Sequence, residues 1–164
     1  MATFSTLDFG IEAGVARITL NRPDSANGIS MQLAQELLQA SLACRCSPQV
    51  RAVLLTGKGR MFCAGGDLNS FVENAANLEG FIKELTTYLH AAIANFAHMR
   101  APLVIAVNGA AAGAGFSLAA CGDLVLAARS AKFSMAYTGA GLVPDGSGSY
   151  FLPRIVGLRR DRKS

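Results

Sequence analysis

Phe62-Cys63-Ala64-Gly65-Gly66-Asp67-Leu68 and Asn108-Gly109-Ala110-Ala111-Ala112-Gly113-Ala114-Gly115 share one form. Each follows an apolar run that reads as a buried strand, Arg51–Thr56 before the first and Leu103–Val107 before the second, and each leads into a helix start. Strands alternating with helices in this way point to an α/β domain with much parallel pairing. A small-residue turn before a helix leaves backbone N–H groups without partners. Gly and Ala also let a ligand approach the main chain closely. Two such turns can aim two N–H donors at one oxygen, which makes an oxyanion hole. Taken alone, either one also reads as an ordinary tight turn packed in a core. The loose G-x-x-x-G-x-G is not a G-x-G-x-x-G, and no G-K-[S/T] occurs, so neither nucleotide fingerprint is present.

The chain around these turns keeps the same alternation. Val15–Leu20 puts Ala16, Ile18 and Leu20 on one face of a strand, and Phe4–Phe9 is expected to pair with it through Glu12-Ala13-Gly14. Ser30 is a candidate N-cap for a helix over Met31–Arg45, with Leu33, Ala34, Leu37, Leu38, Ser41 and Leu42 as its apolar stripe. A second helix is expected over Glu79–His98, stopped before Pro102. Gly113–Cys121 reads as a helix, Leu124–Ala127 and Lys132–Met135 as strands, and Gly139–Ser149 as loop.

Hydrophobic residues make up 51% of the 164 residues and charged ones 16%, a balance that excludes intrinsic disorder and allows a sizeable core. The formal net charge of +4 is confined to the end of the chain. Residues 1–153 hold ten basic and ten acidic side chains, whereas Arg154, Arg159, Arg160, Arg162 and Lys163 face only Asp161. This is a basic tail rather than a nucleic-acid-binding face. The expected organisation is one domain over 1–160 and a tail over 161–164. Ala101–Gly122 carries no charge, but its Pro102 and its glycines argue against a membrane span. Met1–Gly10 has neither the basic start nor the apolar run of a signal peptide, and a cytoplasmic, reducing compartment is expected for Cys44, Cys46, Cys63 and Cys121. Cys44-x-Cys46 is tighter than the C-x-x-C of zinc and redox sites.

Ile18-Thr19-Leu20-Asn21-Arg22-Pro23, the F-C-A-G-G-D-L run and Ala106-Val107 with the second glycine turn together resemble the enoyl-CoA hydratase/isomerase (crotonase) superfamily, over about Phe9 to Arg160. The resemblance implies an α/β fold, a spiral of ββα units, here without the C-terminal helical part that closes the acyl pocket and builds trimers or hexamers. It implies an acyl-CoA thioester as substrate, coenzyme A entering only as part of that substrate, and no metal or redox cofactor. Gly66 and Gly113 become the backbone donors to the thioester oxyanion. Ala64, Gly65, Asp67 and Leu68 become binding positions on the coenzyme A side, as do Ala26 and Gly28. Tyr137 is placed in the substrate pocket. Homo-oligomerisation is the expected assembly.

The hydratases of this family use two glutamates on water, and the matching positions here are Ser117 and Tyr137. Neither a serine hydroxyl nor a phenol is a good base near neutral pH. Asp145 is the only carboxylate between Asp123 and Asp161. The run from Ala136 to Gly157 resembles the epoxyphenylacetyl-CoA isomerases and related enoyl-CoA isomerases, which implies that Asp145 moves the proton. Read from local sequence alone, Asp145 also suits the cap of a helix starting near Gly146. The aryl-CoA dehalogenases of the superfamily offer a second chemistry on the same residues, with Asp145 as nucleophile, Tyr137 beside it and His90 activating water. A serine-hydrolase site at Gly115-Phe116-Ser117-Leu118-Ala119, with His90 or His98, is a third reading. A non-catalytic remnant is a fourth.

Overall fold

In a computed structural model, residues 4–161 are described. The chain opens with a hairpin of β1 (Leu7–Glu12) and β2 (Val15–Leu20), antiparallel in the register Leu7↔Leu20 to Glu12↔Val15. The expected partner strand Phe4–Phe9 thus lies three residues later. The reason is the two-residue turn: Ala13 and Gly14 both have positive φ, 50° and 83°, the geometry of a tight hairpin.

From there the chain repeats one pattern, strand, strand, helix. After β2 comes α1 (Met31–Cys46). Then follow β3 (Ala52–Gly57), β4 (Met61–Cys63), α2 (Leu68–Glu73) and α3 (Leu78–His98). Next come β5 (Leu103–Val107), β6 (Ala110–Ala112) and α4 (Ala114–Ala120). The last unit is β7 (Leu124–Ala127), β8 (Phe133–Ser134) and α5 (Gly148–Val156), with α6 (Leu158–Asp161) behind it. The first strand of each later unit joins a sheet of order β1-β2-β3-β5-β7, parallel beyond the hairpin. The second strand of each joins a small parallel sheet, β4-β6-β8. This is the spiral of ββα units. The strand expected over Lys132–Met135 shortens to β8, and residues 162–164 of the basic tail lie outside the described residues.

One core holds the sheet against the long helices. Ala16, Ile18 and Leu20 of β2, Val53 and Leu55 of β3 and Leu103, Ile105 and Val107 of β5 are buried with Leu33 and Leu37 of α1 and Leu89, Ile93 and Phe96 of α3. Burying each such side chain contributes roughly 1.5–3 kcal/mol. Ser30 caps α1 as expected, accepting the Leu33 N–H at 3.3 Å. Leu42 of the expected stripe points outward, 43% exposed, and Ala40 and Cys44 take the inner positions. The edge strand β7 is different: Leu124 and Leu126 are 53% and 58% exposed.

Candidate functional site

Both glycine turns contain a strand that their sequences hide. Residues 61–63 and 110–112 form β4 and β6, side by side in the small sheet, and the two turns leave that sheet together. They touch at Gly65, whose φ is +96°. A Cβ there would stand 2.8 Å from the Ala112 carbonyl and 3.4 Å from the Ala114 nitrogen. Only glycine permits this approach.

The free donors follow from the hydrogen bonds around the turns. The Gly66 N–H donates to no acceptor among the described residues, although its neighbours are bound: Ile29 N–H donates to Gly65 O at 2.7 Å and Asp67 N–H to Ile29 O at 3.1 Å. The Gly113 N–H does not match the expectation. It donates to Ser134 O at 2.9 Å, continuing the β6–β8 ladder. The unspent donor of the second turn is one residue later, at Ala114, the first residue of α4. Gly113 is that helix's N-cap, with Phe116 and Ser117 N–H both donating to its carbonyl, at 2.9 and 3.1 Å. Gly113 and Ala114 both stand among the orphan N–H positions of a helix start, so sequence alone does not say which one stays free; the bond to Ser134 O decides it.

A second layer holds the first turn. Arg22 pairs with Asp67 at 2.8 Å and donates to Gly28 O. Burial raises the Asp67 pKa, but the Arg22 guanidinium and the Asn69 and Ser70 N–H groups outweigh it and hold the carboxyl below its usual range. Asp67 also caps α2, accepting from Asn69 N–H at 3.2 Å. Asn27 is fully buried and donates to the carbonyls of Lys58, Met61 and Phe62 while accepting the Arg22 N–H. Ala26 O receives the Ala64 N–H at 3.0 Å.

A cavity of about 600 Å³ opens between these turns and α3. Ala26, Gly28, Ala64, Gly65, Gly66, Asp67, Leu68, Gly113, Tyr137 and Asp145, scattered over 120 positions, all line it. So do Ala114 and His90. Its apolar wall includes Phe71, Ile82, Leu85 and Leu89, mostly from one face of α3.

Asp145 does not cap a helix with its side chain. The helix α5 starts at Gly148 with Ser147 at the N-cap, and the carboxylate turns the other way. Tyr137 Oη donates to its Oδ1 at 2.8 Å, and His90 Nε2 stands 3.1 Å from its Oδ2. The Gly146 N–H points at the same Nε2, at 3.2 Å. Nε2 carries either a lone pair, which accepts from the Gly146 N–H, or a proton, which is donated to Asp145 Oδ2, so the two neighbours compete for one ring nitrogen. Burial pushes the Tyr137 phenol well above its ordinary pKa, and the Asp145 charge adds to this against the lowering by Ser117, so it stays a donor. Ser117, only 1% exposed, bonds Tyr137 Oη at 2.7 Å. Neither His90 nor His98 bonds Ser117: His98 is held by Ala94 O at 2.8 Å. The serine-hydrolase arrangement is therefore not formed. Cys44 is buried in α1, its thiol pushed up to about 11 by burial, and Cys46 is exposed. Among the described residues no helix is long and apolar enough to cross a membrane.

A family model described as enoyl-CoA hydratase/isomerase matches residues 10–163. Over 158 residues the chain is 42% identical to a "probable enoyl-CoA hydratase" of Rhodobacter capsulatus, covering 96% of this chain and 60% of that protein. It is 40% identical to the 1,2-epoxyphenylacetyl-CoA isomerase of Escherichia coli (92% and 58% covered) and 36% identical to a 4-chlorobenzoyl coenzyme A dehalogenase of an Arthrobacter species (90% and 54%). A solved enoyl-CoA hydratase from a Polaromonas species superposes with a TM-score of 0.87 at 34% identity, covering 96% of this chain and 61% of the other. The chain spans about 60% of the length of the first of these relatives.

Proposed function

The chain belongs to the enoyl-CoA hydratase/isomerase family, and from that membership we propose that its cavity binds an acyl-CoA thioester and moves a proton along the acyl chain, as an enoyl-CoA isomerase. The observation that carries this is the convergence of two unspent N–H donors and one carboxylate on one cavity. Gly66 and Ala114 hold the thioester oxygen. They stabilise the enolate that forms when the adjacent carbon loses a proton, each donor contributing roughly 3–4 kcal/mol in the transition state. Asp145 takes the proton from one carbon and returns it to another. Tyr137 keeps Oδ1 hydrogen-bonded, and Oδ2 lies on the His90 side. The apolar wall of α3 excludes water from the enolate. Ala64, Gly65 and Leu68 offer backbone and small side chains to the coenzyme A portion, with Ala26 and Gly28 beside them. The Asp67 side chain is already engaged by Arg22, so it serves by holding the turn.

Asp145→Asn keeps the shape and removes the base. Double-bond migration, or exchange of the α-proton with solvent deuterium, is expected to fall by about 10²–10⁴-fold while acyl-CoA binding changes little. Near-wild-type turnover in this variant would overturn the assignment.

The contact between His90 and Asp145 favours one second reading. A histidine 3.1 Å from the carboxylate suits hydrolysis of an aryl-aspartyl ester, with Asp145 as nucleophile on an aryl-CoA. Chloride release from 4-chlorobenzoyl-CoA, with oxygen-18 from water entering Asp145 before the product, tests it; its absence leaves proton transfer.

The reading includes neither a metal nor a redox cofactor, and a cytoplasmic setting suits the four free cysteines. It also includes self-association. Leu124 and Leu126 on β7 and Phe133 on β8, the last strands of the two sheets, are exposed, and exposed apolar patches mark interfaces. Sedimentation is expected to show an oligomer that Leu126→Lys dissociates; a monomer at high concentration would overturn this.

A further inference from the structure

The hydroxyl of Ser117 has no part in the chemistry above, yet its surroundings are specific. Its Oγ bonds Tyr137 Oη and no other group among the described residues. Room for it is made by two glycines: a Cβ at Gly148 would stand 2.5 Å from Ser117 Oγ, and one at Gly146 would stand 3.0 Å from Ser117 Cβ. The direction of the bonds follows from counting protons. A phenol has one proton. Asp145, ionised to act as a base, has none to give, so the 2.8 Å bond to Oδ1 uses the Tyr137 proton. The Tyr137 oxygen is then left to accept, and Ser117 must donate.

We infer that Ser117 is a positioning residue that acts on Asp145 through Tyr137, as the first donor of a one-way chain, Ser117 to Tyr137 to Asp145 Oδ1. The inference rests on the reading of Asp145 as the base. Donation from Ser117 polarises the phenol and strengthens its bond to the carboxylate. It also keeps the phenol O–H directed at Oδ1, which leaves Oδ2 toward His90. The titratable groups in contact with Asp145 are Tyr137 and, from α3, His90. Asp24 and Asp67 line the cavity but bond neither Asp145 nor Ser117, and Asp67 is paired with Arg22.

The test is the titration of the Asp145 carboxyl by carbon-13 NMR in the full chain, with the resonance assigned by Asp145→Asn. Hydrogen bonds to the ionised form favour it, so Tyr137→Phe is expected to move the titration midpoint upward. Ser117→Ala is expected to raise it by less, in the same direction. In the Tyr137→Phe background Ser117→Ala is expected to add nothing, because its route is gone. No shift in Ser117→Ala, or a full additional shift in the double variant, overturns the inference. Should Tyr137→Phe fail to fold, the shift in Ser117→Ala alone decides. Turnover of Asp145→Asn separates the two levels. If that variant keeps turnover while Ser117→Ala shifts the titration, the proton-transfer reading fails and the chain of donors stands. If it loses turnover while Ser117→Ala shifts nothing, the donor chain alone fails.

Discussion

The two glycine turns are near twins in sequence and differ in how their donors are held. In the first, the Gly66 N–H is free because residues 29 and 65–67 bond around it, and the Arg22–Asp67 pair ties that strand of contacts down. In the second, the ladder between β6 and β8 runs one residue further and spends the Gly113 N–H on Ser134 O. The free donor therefore moves to Ala114. One turn is held by side chains with charge, the other by a backbone ladder. A shared motif thus fixes the kind of site but not the residue that supplies the hydrogen.

The sharpest way to break the comparison is to delete the Ala114 donor. Proline is tolerated at the first position of a helix, where its missing N–H costs no helical bond. Ala114→Pro is expected to keep the fold and to lower turnover by about 10²–10³-fold. A variant of ordinary activity would show that the second donor lies elsewhere.

Next in size is the contact between the turns. Gly65→Ala places a Cβ 2.8 Å from Ala112 O at a φ of +96°. Both strain and overlap act, and a loss of about 2–4 kcal/mol in denaturant unfolding is expected. Gly113 has φ +50°, but a Cβ there comes no nearer than 3.9 Å to Gly65 Cα. Gly113→Ala is expected to cost about 1–2 kcal/mol, from backbone strain alone. Equal losses would mean that the turns do not press on each other.

The large sheet was legible in the sequence because β2, β3 and β5 alternate apolar residues with one buried face, and β5 and β7 fall where the pattern puts them. The small sheet was not. Its middle strand is Ala110-Ala111-Ala112, a sequence with no β preference, which is extended because β4 and β8 flank it and Ala111 N–H donates to Lys132 O at 2.8 Å. Short α2 was legible only as a helix start after the first turn, without a range, because it lacks an apolar stripe; its mark is Asp67 as N-cap. The proposed site was legible as a set of positions only through family resemblance. Asp145 and His90 are 55 residues apart, and no local pattern joins them. The Ser117–Tyr137 bond was beyond the sequence altogether, since it depends on α4 meeting the segment after β8.

The last comparison tests the charged clamp of the first turn. The folded Asp67 carboxyl lies below its ordinary pKa, so the unfolded chain binds a proton there before the folded chain does. By linkage the clamp's contribution is fully present above the unfolded value of about 4, and it is lost as pH falls through the folded value. Asp67→Asn removes the titration and leaves Arg22 unpaired. At pH 7 this variant is expected to be less stable than the wild type by about 1–3 kcal/mol. The gap should narrow as pH falls below about 4, because the wild type then protonates Asp67 and comes to resemble the variant. The second turn has no such group, so Gly113→Ala should show a gap that does not change over the same range. Denaturant unfolding of the three proteins at pH 7 and near pH 3 compares them directly. A constant Asp67→Asn gap would mean that Asp67 holds the turn by shape and capping rather than by its charge with Arg22.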